Sequence, residues 1–181
     1  MAANWLESLL TLVTGGSKSN SKKVPSVPVK APEATPAPVA VVDDGYYHWK
    51  KGETLTLSKY FSTDEFSCHC SFADCVDQKV TKSLITKLDS VRTDIKEPLV
   101  VTSAYRCTKY QAKLRDDGVN TVVATTLSQH ELGKAADIHP KSRTMKGFEA
   151  ICAKYFDSIG VANTFLHVDE RTDKKNRRWK Y

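Results

Sequence analysis

Ser128-Gln129-His130-Glu131-Leu132-Gly133-Lys134-Ala135-Ala136-Asp137-Ile138 passes from a polar loop into a short apolar strand, and Phe165-Leu166-His167-Val168-Asp169 gives a second strand further on. A carboxylate between Ala136 and Ile138 is costly unless it is paired or holds a cation. Alternation along the second strand puts His167 and Asp169 on one face with Phe165, and Leu166 and Val168 on the other. His130, Asp137 and His167 suit a zinc ion, since imidazole nitrogen and carboxylate oxygen are ordinary zinc ligands. Three protein ligands with a fourth position left open is the hydrolytic arrangement, in which the cation makes water a usable nucleophile. Gly133 lets the backbone turn closely between the first ligand and the strand.

Working outward, Val80, Leu84, Ile85, Leu88, Val91 and Ile95 recur at helical spacing and predict one amphipathic helix that ends before Glu97-Pro98. Leu99 to Ser103 reads as a short apolar strand, and Cys107 to Arg115 as a helix ending at Asp117-Gly118. Met145 to Ile159 reads as helical, with Gly160 closing it. Helices and short strands in this irregular order predict an α+β domain over residues 45–181. It has a small antiparallel sheet flanked by helices, with the zinc site at the sheet.

The first 44 residues differ in kind. Residues 1–14 contain Asn4 to Val13, a leucine-rich stretch that Asn4 can cap and Thr14-Gly15-Gly16 can stop. So short a helix is marginal alone in water, so residues 4–13 are expected to need a partner groove such as one on a virion protein, a membrane surface or the catalytic domain itself. Residues 15–44 read as a linker, because five of the seven prolines lie between Pro25 and Pro38 and favour a semi-rigid extended spacer. The N-terminus lacks the positive region and cleavage pattern of a secretory signal, and no apolar run approaches the roughly 20 residues needed to cross a bilayer.

The net charge is +6, and residues 1–44 carry four Lys against four Asp or Glu, so the whole excess sits on the domain. That suits an anionic surface such as a cell wall, or is simply a mildly basic solvated surface. Nucleic acid is not expected, since no aromatic and Lys/Arg motif accompanies the charge. Five cysteines are an odd count, so at least one is left out of any intrachain set of disulfides. Cys68, Cys70 and Cys75, with Cys107 or His48 as a fourth group, read as a second zinc site, packed thiols or a disulfide. Cys152 fits the buried face of its helix.

The ordered set Ser-x-His-x-x-Gly-x-Ala-x-Asp, then His-Val-Asp, resembles the zinc D,D-carboxypeptidase/endopeptidase family that cuts peptidoglycan stem peptides, many of whose members are phage endolysins. Glu65-Phe66-Ser67-Cys68, Ser103-Ala104-Tyr105-Arg106-Cys107 and Arg178-Trp179 fall in the order the family shows, so the resemblance spans about Thr56 to Trp179. It implies Zn2+ held by His130, Asp137 and His167. Ser128 and Gln129 match residues that approach substrate in related enzymes, with local turn capping as the other reading. Arg106 is implied to support the oxyanion or a substrate carboxylate, or else forms a buried bridge to Asp137 or Asp169. In other branches of the family an acidic residue just upstream of the last histidine serves as general base, whereas this chain has Asn163, Thr164 and Phe165 there. Asp169 is therefore the first choice for the base and Glu131 the second, while a role for Asp169 in orienting His167 stays open.

The resemblance implies zinc-dependent hydrolysis of peptide bonds in bacterial peptidoglycan by a phage endolysin or virion-associated lysin. Such a protein would reside in the virion, or in host cytoplasm before release to the wall. The alternative is a virion structural or cell-wall-binding protein that retains the peptidase fold with little or no turnover.

Overall fold

A computed structural model describes residues 43–118, 127–173 and 175–181. The helix expected over residues 4–13, and the linker up to residue 42, lie outside the described residues. Strands β1 (Tyr46–Lys50) and β2 (Asp77–Thr81) form an antiparallel pair, with Tyr46 opposite Thr81 and Lys50 opposite Asp77. Helix α1 (Lys82–Ile95) follows at once. Thr81 keeps extended dihedrals and accepts the Leu84 N–H on Oγ1 at 3.3 Å, which caps the helix. Leu84, Ile85, Leu88 and Val91 are buried along one face, as their spacing predicts. Val80 does not belong to that helix: it lies on β2 and enters the same core from the strand.

The second sheet has five strands: β3 (Leu99–Ser103), β4 (Ala135–Pro140), β5 (Ser158–Val161), β6 (Leu166–Asp169) and β7 (Arg177–Lys180). Their spatial order is β3-β4-β6-β5-β7, and β5 pairs with β7 in parallel while the other pairings are antiparallel. The class is α+β, and the sheet is mixed rather than purely antiparallel. Helix α2 (Thr108–Asp116) follows β3, as expected.

The helix expected over Met145 to Ile159 is cut short. Helix α3 is only Phe148–Cys152, and Ile159 and Gly160 belong to β5. Phe148, Cys152, Phe156 and Ile159 are all buried, and they continue helical spacing in sequence although the last serves a strand. Gly160 is no helix terminator. It lies opposite Trp179, and a Cβ at that position would come within 2.5 Å of the indole.

One face of the sheet supplies Ala136, Ile138, Ile159, Leu166 and Val168 to a core shared with Leu84, Leu88 and Val91 of α1. Strand alternation turns the intervening residues to the other face. There the register aligns one row across all five strands: Ser103, Asp137, His167, Gly160 and Trp179. A β-bulge between Val101 and Ser103 brings Ser103 into that row.

Candidate metal centre

Asp137 and His167 are direct cross-strand neighbours on β4 and β6. His130 reaches them from the turn before β4. The Leu132 amide donates to the Ser128 carbonyl at 3.2 Å, Gly133 to His130 at 3.1 Å and Lys134 to Gln129 at 2.9 Å. Ser128 and Glu131 close the turn reciprocally: the Ser128 amide donates to Glu131 Oε2 at 2.9 Å, and the Glu131 amide to the Ser128 carbonyl at 3.0 Å. The contacts of Ser128, Gln129 and Glu131 are thus those of local turn capping. Gly133 has φ +68°, and a Cβ there would lie 2.6 Å from the Lys79 carbonyl oxygen. Both the left-handed backbone and the close approach of β2 require glycine there.

The three donor atoms meet in a triangle. His167 Nδ1 lies 2.9 Å from Asp137 Oδ1 and 3.1 Å from His130 Nε2, and His130 Nε2 lies 3.4 Å from Asp137 Oδ1. Ligand atoms held about 2.0–2.1 Å from one zinc at tetrahedral angles are about 3.3 Å apart. The triangle therefore has the size and the donor chemistry that a zinc ion takes. All three residues are buried.

The far side of each donor residue is also held. His130 Nδ1 lies 2.6 Å from the Ala104 carbonyl oxygen, so that nitrogen carries the hydrogen and Nε2 presents its lone pair to the triangle. His167 Nε2 lies 3.1 Å from Asp169 Oδ2, so its Nδ1 is the free lone pair. Asp169 thus sits behind the imidazole, on the side away from the triangle. Arg171 grips it through Nη2 at 2.5 Å and through its own amide at 2.9 Å. Of the two roles open for Asp169, these are the contacts of an orienting group. Arg106 makes the buried bridge: Nη2 to Asp137 Oδ2 at 2.5 Å, with Nε on Ser103 Oγ at 2.9 Å.

Electrostatics follow from this packing. Burial lowers the pKa of His130 despite the attraction of Asp137, and so keeps the imidazole neutral. For His167 burial also lowers the pKa, but hydrogen bonds to Asp137 and Asp169 outweigh it and the net shift is upward. Burial raises Asp137, yet the two histidines outweigh it and hold the carboxyl well below the usual range. Asp169 is likewise lowered, because His167 and Arg171 overcome its burial.

An aromatic flank borders the site. The Trp179 ring is 5.4 Å from that of His167, Tyr181 is 6.3 Å from Trp179, and Phe165 is 5.8 Å from Tyr181. The guanidinium of Arg171 lies 5.5 Å from the Trp179 ring centre. Sequence reasoning missed Ala104, whose contribution is a backbone carbonyl and leaves no side-chain signal. It also missed Arg171 and Tyr181. Arg171 lies two residues beyond Asp169, and that adjacency of charges was the available signal. His139, whose strand position imitates a ligand, instead turns Nδ1 to the Pro140 carbonyl at 2.7 Å.

The model of a protein family described as Peptidase M15 matches residues 59–169. No curated protein and no solved structure matches the chain.

Proposed function

From the chain's membership of the Peptidase M15 family, whose zinc-dependent metallopeptidases act in peptidoglycan metabolism, we propose that it hydrolyses peptide bonds in bacterial peptidoglycan stem peptides, with Zn2+ held by His130, Asp137 and His167. The observation that carries this reading is the buried triangle of two imidazole nitrogens and one carboxylate oxygen, each ligand braced from behind.

Bound there, zinc supplies Lewis acidity to a scissile carbonyl and acidifies water. The chain's own residues do the rest. The Ala104 carbonyl and Asp169 fix the tautomers of His130 and His167. Arg106 orients Asp137, and its side chain, 12% exposed, keeps further guanidinium N–H groups for a substrate carboxylate or a developing oxyanion. Asp169 is assigned to orienting His167 rather than to taking a proton from water. Trp179, Tyr181 and Phe165 form a wall along which a peptide can lie, and Ser128 and Gln129 flank the first ligand from the turn.

The basic domain suits an anionic wall. A tethered domain with a leucine-rich N-terminal segment suits a phage endolysin or virion-associated lysin, with residues 4–13 docking on a virion protein or membrane. Digestion of purified peptidoglycan, with mass analysis of the released muropeptides, tests the reading. Products heavier by one water, at a defined peptide bond, are expected. Wall binding without new products on any peptidoglycan chemotype would overturn it in favour of a wall-binding structural protein.

A further inference from the structure

Apart from the site on the sheet, the described residues contain a second cluster of ligand-type side chains. The sulfurs of Cys68, Cys70, Cys75 and Cys107 all lie within 4.8 Å of one another, and Cys70 Sγ is 3.7 Å from Cys107 Sγ. Cys68, Cys70 and Cys75 are buried, and Cys107 is half-buried. Four sulfurs bound about 2.3 Å from a tetrahedral zinc would be about 3.8 Å apart, whereas a disulfide needs about 2.05 Å. The odd cysteine is accounted for: Cys152 lies in the main core. His48, the other candidate for a fourth group, is turned to Asp44 at 2.8 Å.

Each sulfur also receives one N–H donor. The Cys107 amide points at Cys68 Sγ at 3.3 Å, and the Tyr110 amide at Cys107 Sγ at 3.4 Å. Gln78 Nε2 donates to Cys75 Sγ at 3.4 Å, and Lys51 Nζ to Cys70 Sγ at 3.6 Å. Donors aimed at sulfur favour the thiolate, which is the form that binds metal. Cys107 is the N-cap of α2, and the positive end of that helix together with the Lys51 ammonium offsets the charge left on a tetrathiolate ion. Gln78 is buried and brackets two of the ligands, since its Oε1 accepts the Cys68 amide at 2.8 Å. Four soft thiolate sulfurs at this spacing suit a single zinc ion.

We infer that Cys68, Cys70, Cys75 and Cys107 form a closed structural zinc site that joins the loop before β2 to the start of α2. The site has a consequence for the centre on the sheet. Cys107 directly follows the segment in which the Ala104 carbonyl braces His130 and Arg106 braces Asp137. Zinc in the cysteine site clamps the end of that segment. The inference does not depend on the peptidase reading, because it rests on a separate set of ligands.

Full-length wild-type protein loaded with Co2+ in place of zinc tests it. Histidine and carboxylate ligands give no thiolate-to-cobalt charge transfer, so that band reports the cysteine site alone. An intense near-ultraviolet band that reaches full height by two equivalents of cobalt per chain, when both sites are filled, is expected, and Cys70→Ser and Cys107→Ser should each weaken it. Zinc analysis should show a second equivalent of metal that survives His130→Ala and is lost in the cysteine variants. Absence of the charge-transfer band in the reduced wild-type protein, or disulfides among these four residues in the freshly purified zinc-loaded protein, would overturn the inference. Neither depends on whether a variant folds.

Discussion

Replacing Asp169 with asparagine separates the two roles a carboxylate beside the last ligand can have. The side chain is fully buried, accepts from His167 Nε2 at 3.1 Å and is gripped by Arg171 at 2.5 Å. Asparagine keeps the shape but loses the charge, so the hydrogen bond behind His167 weakens and Arg171 is left partly unpaired. Loss of a carboxylate behind a ligating histidine typically weakens metal affinity roughly 10–100-fold. That is about 1.4–2.7 kcal/mol of binding free energy. Chelator competition measures the zinc affinity, and turnover of purified peptidoglycan at saturating zinc measures the chemistry. The expected outcome is weaker zinc binding, with kcat at saturating zinc reduced less than about tenfold. A general base would give the reverse: unchanged affinity and a fall of roughly 10²–10⁴-fold in kcat. That result would refute the orienting role and return Asp169 to the proton-transfer step.

Gly160→Ala should push the Trp179 indole off the strand, because the added methyl would lie 2.5 Å from Cε2. Urea unfolding should show a loss of about 1–3 kcal/mol, the usual cost of overpacking. The raised pKa of His167 in the metal-free protein means its proton contributes stability that is fully present below the unfolded value of 6.5 and lost as pH rises through the folded value. Zinc needs that nitrogen deprotonated, so the gap in Tm between zinc-loaded and metal-free protein should widen from about pH 6 to pH 8, as scanning fluorimetry can show. A chain starting at Gly45 should keep its fold and metal content, since Asp43 and Asp44 make only exposed contacts to Lys82, Tyr46 and His48. It should fail to co-sediment with virions or membrane vesicles that retain the full chain.

The elements legible in the sequence are those whose pattern is long or strongly one-sided. Helix α1 is found because Leu84, Leu88 and Val91 repeat on one face and Pro98 forbids continuation. Strands β4 and β6 are found because apolar residues alternate with Asp137 and His167. Both successes lie at the candidate site itself, where one face of each strand packs on the core and the other carries the donor residues, and that imposes the alternation.

The misreadings share one cause. Val80 happens to lie in phase with α1, and Phe156 and Ile159 in phase with α3, so a helical period runs on into strands of five and four residues. Burial in a common core imposes that phase, whatever the local backbone. β1 and β7 carry mixed polar and aromatic residues and pair with one neighbour each, so neither has a clean alternation to read. The candidate ligands were legible as residue types at a spacing, and Arg106 and Asp169 as groups that could brace them. The Ala104 carbonyl, Ser103 and Arg171 were not, since they act through contacts that only the folded sheet creates.

The central claim is that His130, Asp137 and His167 hold the zinc on which hydrolysis depends. Titration of zinc into metal-stripped protein, with release of peptidoglycan fragments followed at each step, tests it most directly. Wild-type protein should be inactive when stripped and should recover as zinc is restored, whereas His130→Ala, Asp137→Ala and His167→Ala should stay inactive at the same zinc concentrations. Hydrolysis by stripped wild-type protein, or full recovery in any of the three variants, would contradict it.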